Sequence, residues 1–144
     1  MLSLPVGTVL EPRRLVVAAP DSSVASAARM MKEGAVGAVL VVQEGRLVGI
    51  FTERDAVYRV MASGRDPWTT TLSEVMTRDP KTVAPDESFG YALLLMHEHG
   101  FRHAPVVEAD GRPVGVVSAR HALDPDLEEF AVEAERRKAI RRLP

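Results

Sequence analysis

Two polar side chains stand at the spacing that begins a helix. Thr52 and Asp55 are three residues apart, directly after an apolar run. A threonine and a carboxylate at this spacing form a capping box, in which each side chain satisfies a backbone N–H of the first turn. The same geometry offers two carboxylate oxygens to a pair of hydroxyl groups and a helix N-terminus to an anion. The first interpretation is purely structural and the second makes Asp55 a candidate binding residue; the two are compatible.

A second stretch repeats this pattern with serine in place of threonine and histidine in place of aspartate. Gly45–Val57 reads GRLVGIFTERDAV and Gly111–Leu123 reads GRPVGVVSARHAL, so His121 stands in the position of Asp55. Histidine donates one hydrogen bond or becomes cationic near neutral pH, but it cannot present two anionic acceptors. Ser118 and His121 could be a nucleophile and a base, yet no third orienting group or oxyanion motif accompanies them. We therefore expect no enzymatic activity.

The sequence offers little to a metal ion. It contains no cysteine, which excludes disulfides, a thiolate nucleophile and Cys-ligated zinc. His97 and His99 are two residues apart on a predicted helix, so they point to different faces. We expect no metal site and no required cofactor.

Composition and charge are those of an ordinary globular protein. Of 144 residues, 46% are hydrophobic and 26% charged, and the formal net charge is -2. This charge gives no global field that would attract nucleic acid. The N-terminus lacks the pattern of a signal peptide, and no apolar run reaches the length of about 18 residues that a membrane span needs. The sequence predicts a cytoplasmic protein without a nucleic-acid or membrane partner.

The two similar stretches belong to a longer internal repeat. Aligning Ala19–Val42 with Ala84–Val107, and the two stretches with each other, gives 15 identities in 37 positions. Composition alone would supply roughly three. In each copy the signals run in the order strand, helix, strand, strand, helix, and Gly34 and Gly100 end the first helices. The repeat therefore predicts an α+β fold built from two β-α-β-β-α units.

The first copy shows the pattern of the elements. Strands are predicted over Leu15–Ala19, Ala38–Val42 and Leu47–Phe51, the last two around a hairpin turn. Their counterparts around the second hairpin are Ala104–Val107 and Pro113–Val117. The apolar face of the first helix is formed by Val24, Ala27, Ala28 and Met31. The apolar residues of the second helix are Ala56, Val57, Val60 and Met61.

The repeat divides the chain into three parts. Residues 1–65 hold the first copy and an N-terminal segment, 66–123 hold the linker and the second copy, and 124–144 form a charged C-terminal helix. In this helix glutamates precede arginines, an order that suits the helix macrodipole. The helix is either solvated and packed on its own module or a partner-binding arm.

Together these features resemble a tandem pair of CBS domains, also called a Bateman module. The resemblance depends on the order of elements, on the paired copies and on two motifs, Gly49–Asp55 (GIFTERD) and Phe101–Val106 (FRHAPV). It covers about Val9–Leu123. It implies two copies related by a pseudo-twofold axis, with clefts between them for adenosyl ligands such as AMP, ADP, ATP or S-adenosylmethionine.

The resemblance implies one complete ligand cleft. Asp55 would hold the ribose hydroxyls, and Lys81, Arg102 or His103 would supply cations near phosphate. Apolar and backbone groups would contact adenine. The residues implied for this main cleft are Thr52, Arg54, Asp55, Pro80, Lys81, Thr82, Arg102, His103 and Pro105.

The pseudo-symmetric cleft lacks the same groups. His121 replaces the ribose acceptor, and Gly37-Ala38 replaces the Arg-His pair. We expect this second cleft to be degenerate. Its residues would be Val16, Val17, Ala38, Ser118 and His121.

The leading hypothesis is a stand-alone regulatory module for energy sensing. It would bind an adenine nucleotide between its copies and signal occupancy to an unidentified regulated protein or to its own homodimer. The alternative is a ligand-free dimerisation or scaffolding module, for which no adenosyl ligand would shift the melting temperature.

Overall fold

Each copy of the repeat forms a long helix and a hairpin of strands. The computed structural model describes residues 2–10, 15–123, 136–137 and 139–141. In chain order the named elements are β1 (Val17–Ala18), α1 (Val24–Gly34), β2 (Ala38–Gln43), β3 (Arg46–Thr52), α2 (Glu53–Asp55), α3 (Leu72–Val75), β4 (Thr77–Arg78), α4 (Phe89–His99), β5 (His103–Val107) and β6 (Pro113–Ser118). Short 3₁₀ turns lie at Val6–Thr8 and Ala119–Leu123. The predicted mixture of helix and strand is confirmed.

The long helices begin with serine caps. The Oγ atoms of Ser23 and Ser88 each accept a hydrogen bond of 3.1 Å from the backbone N–H three residues later, which satisfies a donor that the helix itself cannot. Three apolar residues of each helix are buried at the same relative positions, Val24, Ala27 and Met31 in α1 and Phe89, Ala92 and Met96 in α4. Ala28, expected on the buried face, is exposed.

The two long helices end differently. Gly100 follows α4 in the left-handed conformation, with φ of 72°, as a C-terminal glycine does. In the first copy Gly34 is the last helical residue, and the left-handed residue is Ala35, with φ of 52°. A Cβ atom makes this conformation unfavourable by roughly 1–2 kcal/mol. The first copy therefore carries backbone strain that the second avoids.

The second helix of the first copy leaves part of its apolar surface exposed. After α2 the chain continues as a π-helix over Ala56–Met61, in which Ala62 N–H donates to Val57 O at 2.8 Å. The wider turn breaks the spacing of an α-helix. Val60 is buried, but Val57 is 47% and Met61 76% exposed.

Two antiparallel hairpins organise the sheets. β2 and β3 pair around a two-residue turn in which Glu44 and Gly45 both have positive φ, as a type I′ turn requires. β1 joins β2 in parallel and β4 joins β3 antiparallel, giving the order β1-β2-β3-β4. In the second copy β5 and β6 pair alone, and the equivalent of β1 is a single parallel bridge from Val83 to Val106. Both hairpins have a register shift at the same relative position, which reflects the internal symmetry.

The hydrophobic core of each copy includes residues from a segment that precedes the other copy in sequence. Leu4, Val6 and Val9 from the N-terminal segment pack in the core of the second copy. Leu72, Val75 and Met76, from residues 66–76 between the two copies (the linker), pack in the core of the first copy. The bridges Pro5–Ser88 and Thr71–Ser23 join these segments to the helix caps. The division of the chain at residues 65 and 66 stays a prediction, because it concerns sequence order rather than these contacts.

A third apolar cluster joins the two copies. Leu40 and Ile50 of the first hairpin are buried together with Ala38, and Val116 of β6 packs against them. Leu47 N–H also donates to Gly111 O at 3.0 Å, which links the two hairpins directly. The clefts lie beside this contact between the copies.

The end of the chain is described only in part. Of the predicted C-terminal helix, residues 136, 137 and 139–141 are helical, and the rest of 124–144 lies outside the described residues. In the described part of the chain no helix has the length and apolar character needed to cross a bilayer.

Candidate functional site

The capping box at the end of β3 is present. Thr52 N–H donates to Asp55 Oδ2 at 2.9 Å, and Asp55 N–H donates to Thr52 Oγ1 at 3.3 Å. The Thr52 hydroxyl also donates to Oδ2, at 3.1 Å. Asp55 is only 8% exposed. The structural interpretation of this pair is therefore confirmed, and the carboxylate is held rigidly.

The other oxygen of this carboxylate faces a cation. Arg59 Nε lies 3.5 Å from Asp55 Oδ1. Since a carboxylate oxygen accepts about two hydrogen bonds, Oδ2 is fully used by Thr52, and hydroxyl groups of a ligand would be accepted at Oδ1.

Asp55 lies on a large cleft between the two copies. The cleft has a volume of about 900 Å³ and is bounded by the β3–α2 junction, by residues 77 and 79–81 after the linker, and by residues 99–103 before and in β5. Seven of the nine expected residues line it: Thr52, Arg54, Asp55, Pro80, Lys81, Arg102 and His103.

Two of the expected residues lie elsewhere. Pro105 is fully buried within β5, opposite Val116. Thr82 is exposed next to buried Val83 and is not among the residues that line the cleft. The position of a residue in a family motif does not show which way its side chain faces.

Several lining residues were absent from the sequence-based set. Ile50 lies two residues before Thr52 on a strand, and Arg59 lies one helical turn after Asp55, so periodicity could have found both. Tyr58, Asp79, His99 and Phe101 reach the cleft through the tertiary fold, along with Glu53, Val57, Thr77 and Gly100.

The walls of the cleft carry both signs of charge. Arg54, Lys81 and Arg102 are exposed cations on different segments of its lining. The Arg54 guanidinium lies 5.1 Å from the centre of the Tyr58 ring, a cation–π contact that limits where this side chain points. The anions are Glu53, Asp55 and Asp79.

His103 differs from the other basic residues. Burial lowers the pKa of its imidazole below the usual 6.5, Arg120, His121 and Arg102 lower it further, and only Glu53 opposes them. His103 is therefore neutral at pH 7 and supplies a hydrogen-bonding group rather than a charge.

Gly37 makes room for two of these side chains. A Cβ atom at this position would lie 2.5 Å from Glu53 Oε1 and 2.9 Å from His103 Nε2. The Gly37 carbonyl also accepts a hydrogen bond of 3.1 Å from Glu53 N–H. A side chain at Gly37 would displace groups of the cleft.

The second cleft repeats one hydrogen bond of the capping box in a much smaller space. Ser118 N–H donates to His121 Nδ1 at 3.0 Å, the counterpart of the bond from Thr52 to Asp55. In the neutral ring, accepting at Nδ1 places the proton on Nε2. The cleft has a volume of only about 40 Å³, and Val36, Gly37, Ala38, His103, Val116, Ser118, Arg120 and His121 line it. Val16 and Val17, which were expected here, do not.

The described residues contain no group of three or more His, Cys, Asp or Glu side chains that could hold a metal ion.

Sequence comparison identifies both copies. The family model of the CBS domain matches residues 6–62 and 72–128. An uncharacterised 17.7 kDa protein of Acidianus ambivalens is 38% identical over 127 residues, covering 85% of this chain and 76% of that protein. A protein of Methanopyrus kandleri is 32% identical, and this chain spans 63% of its length. This chain spans 20% of the longer CBS domain-containing protein CBSCBSPB1 of Arabidopsis thaliana, at 34% identity over 108 residues.

Solved structures share the fold over most of the chain. A conserved protein from Pyrococcus horikoshii is similar with a TM-score of 0.74 and 28% identity, covering 94% of this chain and 95% of that one. The CBS domain pair of protein MJ0100, in complex with 5′-methylthioadenosine and S-adenosyl-L-methionine, has a TM-score of 0.73 and 27% identity, covering 81% and 93%. A hexameric CBS-CP12 protein from bloom-forming cyanobacteria has a TM-score of 0.77 and 27% identity, covering 96% and 82%. The resemblance inferred from the repeat and its two motifs is confirmed: the chain belongs to the CBS-domain family and consists of a tandem pair of CBS domains.

Proposed function

We propose that this CBS pair is a regulatory module that binds one adenine nucleotide in the main cleft and passes the occupancy to a regulated protein or to its own dimer. The proposal is based on the nearly buried carboxylate of Asp55, which Thr52 holds in place at the edge of a cleft of about 900 Å³. Clefts that bind small molecules have volumes of roughly 300–1,000 Å³.

The ribose would bind at Asp55. Its Oδ2 accepts two hydrogen bonds from Thr52, and its Oδ1 lies on the side of Arg59. A ribose hydroxyl that donates to Oδ1 makes a hydrogen bond to a charged group, which contributes about 1.5–3 kcal/mol.

The phosphate would bind where the cations are exposed. Arg54, Lys81 and Arg102 come from α2, from the segment after the linker and from the residue before β5. Charge-assisted hydrogen bonds from such groups are about twice as strong as neutral ones. The CBS domain pair of protein MJ0100 was solved in complex with methylthioadenosine and S-adenosylmethionine. This complex supports the proposal that the ligand of the present chain is also an adenosyl compound.

The ligand would report its presence by bridging separate segments. The main cleft is bounded by the first copy, by residues 77 and 79–81 after the linker, and by residues 99–103 of the second copy, so a bound nucleotide that fills it would contact all three segments. It would shift the equilibrium toward their closed arrangement by as much as its affinity for the two arrangements differs.

Self-association would use the exposed apolar side chains. Val57 and Met61 on the π-helix, and Tyr91 and Leu94 on α4, are each at least 45% exposed. The hexameric CBS-CP12 protein shows that a related chain assembles. We propose a homodimer, for which analytical ultracentrifugation should give twice the mass of the 144-residue chain. A monomer would exclude signalling through the dimer.

Isothermal titration calorimetry tests the ligand. We expect one molecule of AMP, ADP or ATP per chain, and a loss of affinity of about 10- to 100-fold in Asp55→Asn, because the amide keeps the capping oxygen but loses the charge. S-adenosylmethionine, which carries a sulfonium, and methylthioadenosine, which carries an uncharged thioether, are titrated as well to test whether binding requires a phosphate.

A second capping box supplies the matched control. Glu74 Oε2 accepts from Thr71 N–H at 2.9 Å and does not line the cleft, so Glu74→Gln should leave binding unchanged. Two equivalent sites per chain, or full affinity in Asp55→Asn, would contradict the proposal. No response to any adenosyl ligand would favour the ligand-free scaffold.

A further inference from the structure

Arg59 makes an unusual set of contacts for a half-exposed arginine. Its Nη1 donates to the carbonyl oxygens of Val75 and Met76, at 3.1 and 3.0 Å. Its Nε lies 3.5 Å from Asp55 Oδ1. One guanidinium therefore contacts both a carboxylate on the cleft and the end of α3.

The anchor of this guanidinium is rigid. Val75 and Met76 are 3% and 5% exposed and belong to the core of the first copy. The guanidinium is planar, so two hydrogen bonds at Nη1 also fix the direction of Nε. Arg59 can therefore hold the carboxylate of Asp55 in one rotational position.

The same contact joins two walls of the cleft. Met76 directly precedes β4, and Thr77, Asp79, Pro80 and Lys81 then line the main cleft. Asp55 lines the wall formed by the first copy. Any turn of the carboxylate would move it relative to these residues.

The sequences of the two copies differ at the position of Arg59. Counting from His121 as from Asp55, the position of Arg59 is taken by Pro125, which has no side-chain donor. Asp55 and His121 both accept a hydrogen bond from a backbone N–H at the start of their turn, while the sequence places an arginine four residues after Asp55 only. Capping alone therefore does not require it.

We propose that Arg59 is a positioning residue that orients Asp55 Oδ1 toward the ligand hydroxyls. It also connects this oxygen to the end of the linker, directly before the cleft wall formed by residues 77 and 79–81. The inference rests on the proposed function, because it assigns Asp55 to the ribose. It predicts that removing Arg59 weakens recognition of the hydroxyls specifically, rather than binding in general.

The test compares adenosine with 2′,3′-dideoxyadenosine by calorimetry, because neither carries a phosphate that Arg59 could attract. Wild-type protein should bind adenosine at least about tenfold more tightly, as expected for a hydrogen bond to a carboxylate. In Arg59→Gln this ratio should fall to about two or less. A purely structural role for Arg59 would lower both affinities by one factor and leave the ratio unchanged, which would overturn the inference.

Two further variants make the result decisive. Arg65→Gln is the matched control, because Arg65 Nη1 pairs with Glu74 at a similar 3.5 Å and does not line the cleft; its ratio should equal that of the wild type. Arg59→Lys keeps the charge without the planar fork, so it should give an intermediate ratio and allows the test if Arg59→Gln does not fold. An unchanged ratio in Arg59→Lys together with Arg59→Gln would contradict the positioning role. A wild-type protein that does not discriminate between the two nucleosides would instead overturn the proposed function and the inference with it.

Discussion

The two clefts of this CBS pair have the same local architecture and very different volumes. In one, Thr52 N–H donates to Asp55 at 2.9 Å, and in the other Ser118 N–H donates to His121 at 3.0 Å. The volumes are about 900 and 40 Å³. Histidine thus accepts the same backbone hydrogen bond that aspartate accepts. The charge of Asp55 is therefore not needed for this backbone hydrogen bond, which leaves it available for a ligand.

The position of His103 contributes to the difference in size. Its side chain lines both clefts, and its Nε2 lies close to Gly37 in the second one. Arg120 and Val116 border the same small space. The side chains of His103, Val116 and Arg120 therefore reduce the volume of the second cleft. In addition, its acceptor is a histidine instead of an aspartate.

Exchanging the acceptor in the main cleft should have the largest effect. Asp55→His should retain the fold, because His121 shows that Nδ1 can accept the capping hydrogen bond. It should reduce adenine nucleotide affinity by about 100-fold, since a neutral ring with one acceptor replaces a charged one with several. Titration calorimetry measures the loss and circular dichroism checks the fold; undiminished binding would show that the acceptor is not Asp55.

The histidine between the clefts should make stability depend on pH. Burial lowers the pKa of His103 below its unfolded value of 6.5, so the unfolded chain binds more protons in the window below pH 6.5. The free energy of unfolding should therefore fall as the pH drops through this window, by at most about 1.4 kcal/mol per pH unit. Urea denaturation between pH 5 and 7.5 measures this.

A pair of histidine variants isolates this contribution. His103→Gln should flatten the pH dependence, while exposed His97→Gln should keep it. Equal slopes in the wild type and in His103→Gln would assign the effect to other groups.

The helix ends allow an opposite pair of substitutions in the two copies. Ala35 is exposed with φ of 52°, so Ala35→Gly should stabilise the protein by about 1 kcal/mol. Gly100 has φ of 72° and open space around its missing Cβ, so Gly100→Ala should destabilise it by a similar amount. Thermal unfolding of both variants gives the signs, and two changes of the same sign would contradict the left-handed assignment.

The reciprocal exchange in the second cleft should have the smallest effect. His121→Asp restores the carboxylate, yet a space of about 40 Å³ cannot hold a nucleoside. We expect one ligand per chain, as in the wild type. Two bound ligands would show that residue type, rather than volume, separates the clefts.

Much of the fold followed from local patterns. The serine caps, the apolar spacing in α1 and α4 and the hairpin turn at Glu44–Gly45 each depend on neighbouring residues, so the sequence predicts them. The π-helix at Ala56–Met61 has no such local signal in the sequence, and the wider turn was not predicted.

The candidate site was predictable where a motif fixes the direction of a side chain. Thr52 and Asp55 face each other because the capping box is local. Pro105 and Thr82 follow the motif in sequence but do not line the cleft. Asp79 and His99 line it without any local signal, since they come from segments that only the packing of the two copies brings together.

The repeat, the CBS-pair fold and the exchange of Asp55 for His121 could all be read from the amino-acid sequence. They depend on residue order and on interactions within one or two turns. Tertiary structure alone decided the packing of the N-terminal segment and of the linker in the two cores, the volumes of the two clefts and the contact of Arg59 with the linker carbonyls. These features depend on distances between segments far apart in the chain, which arise only when the apolar surfaces of the two copies pack together.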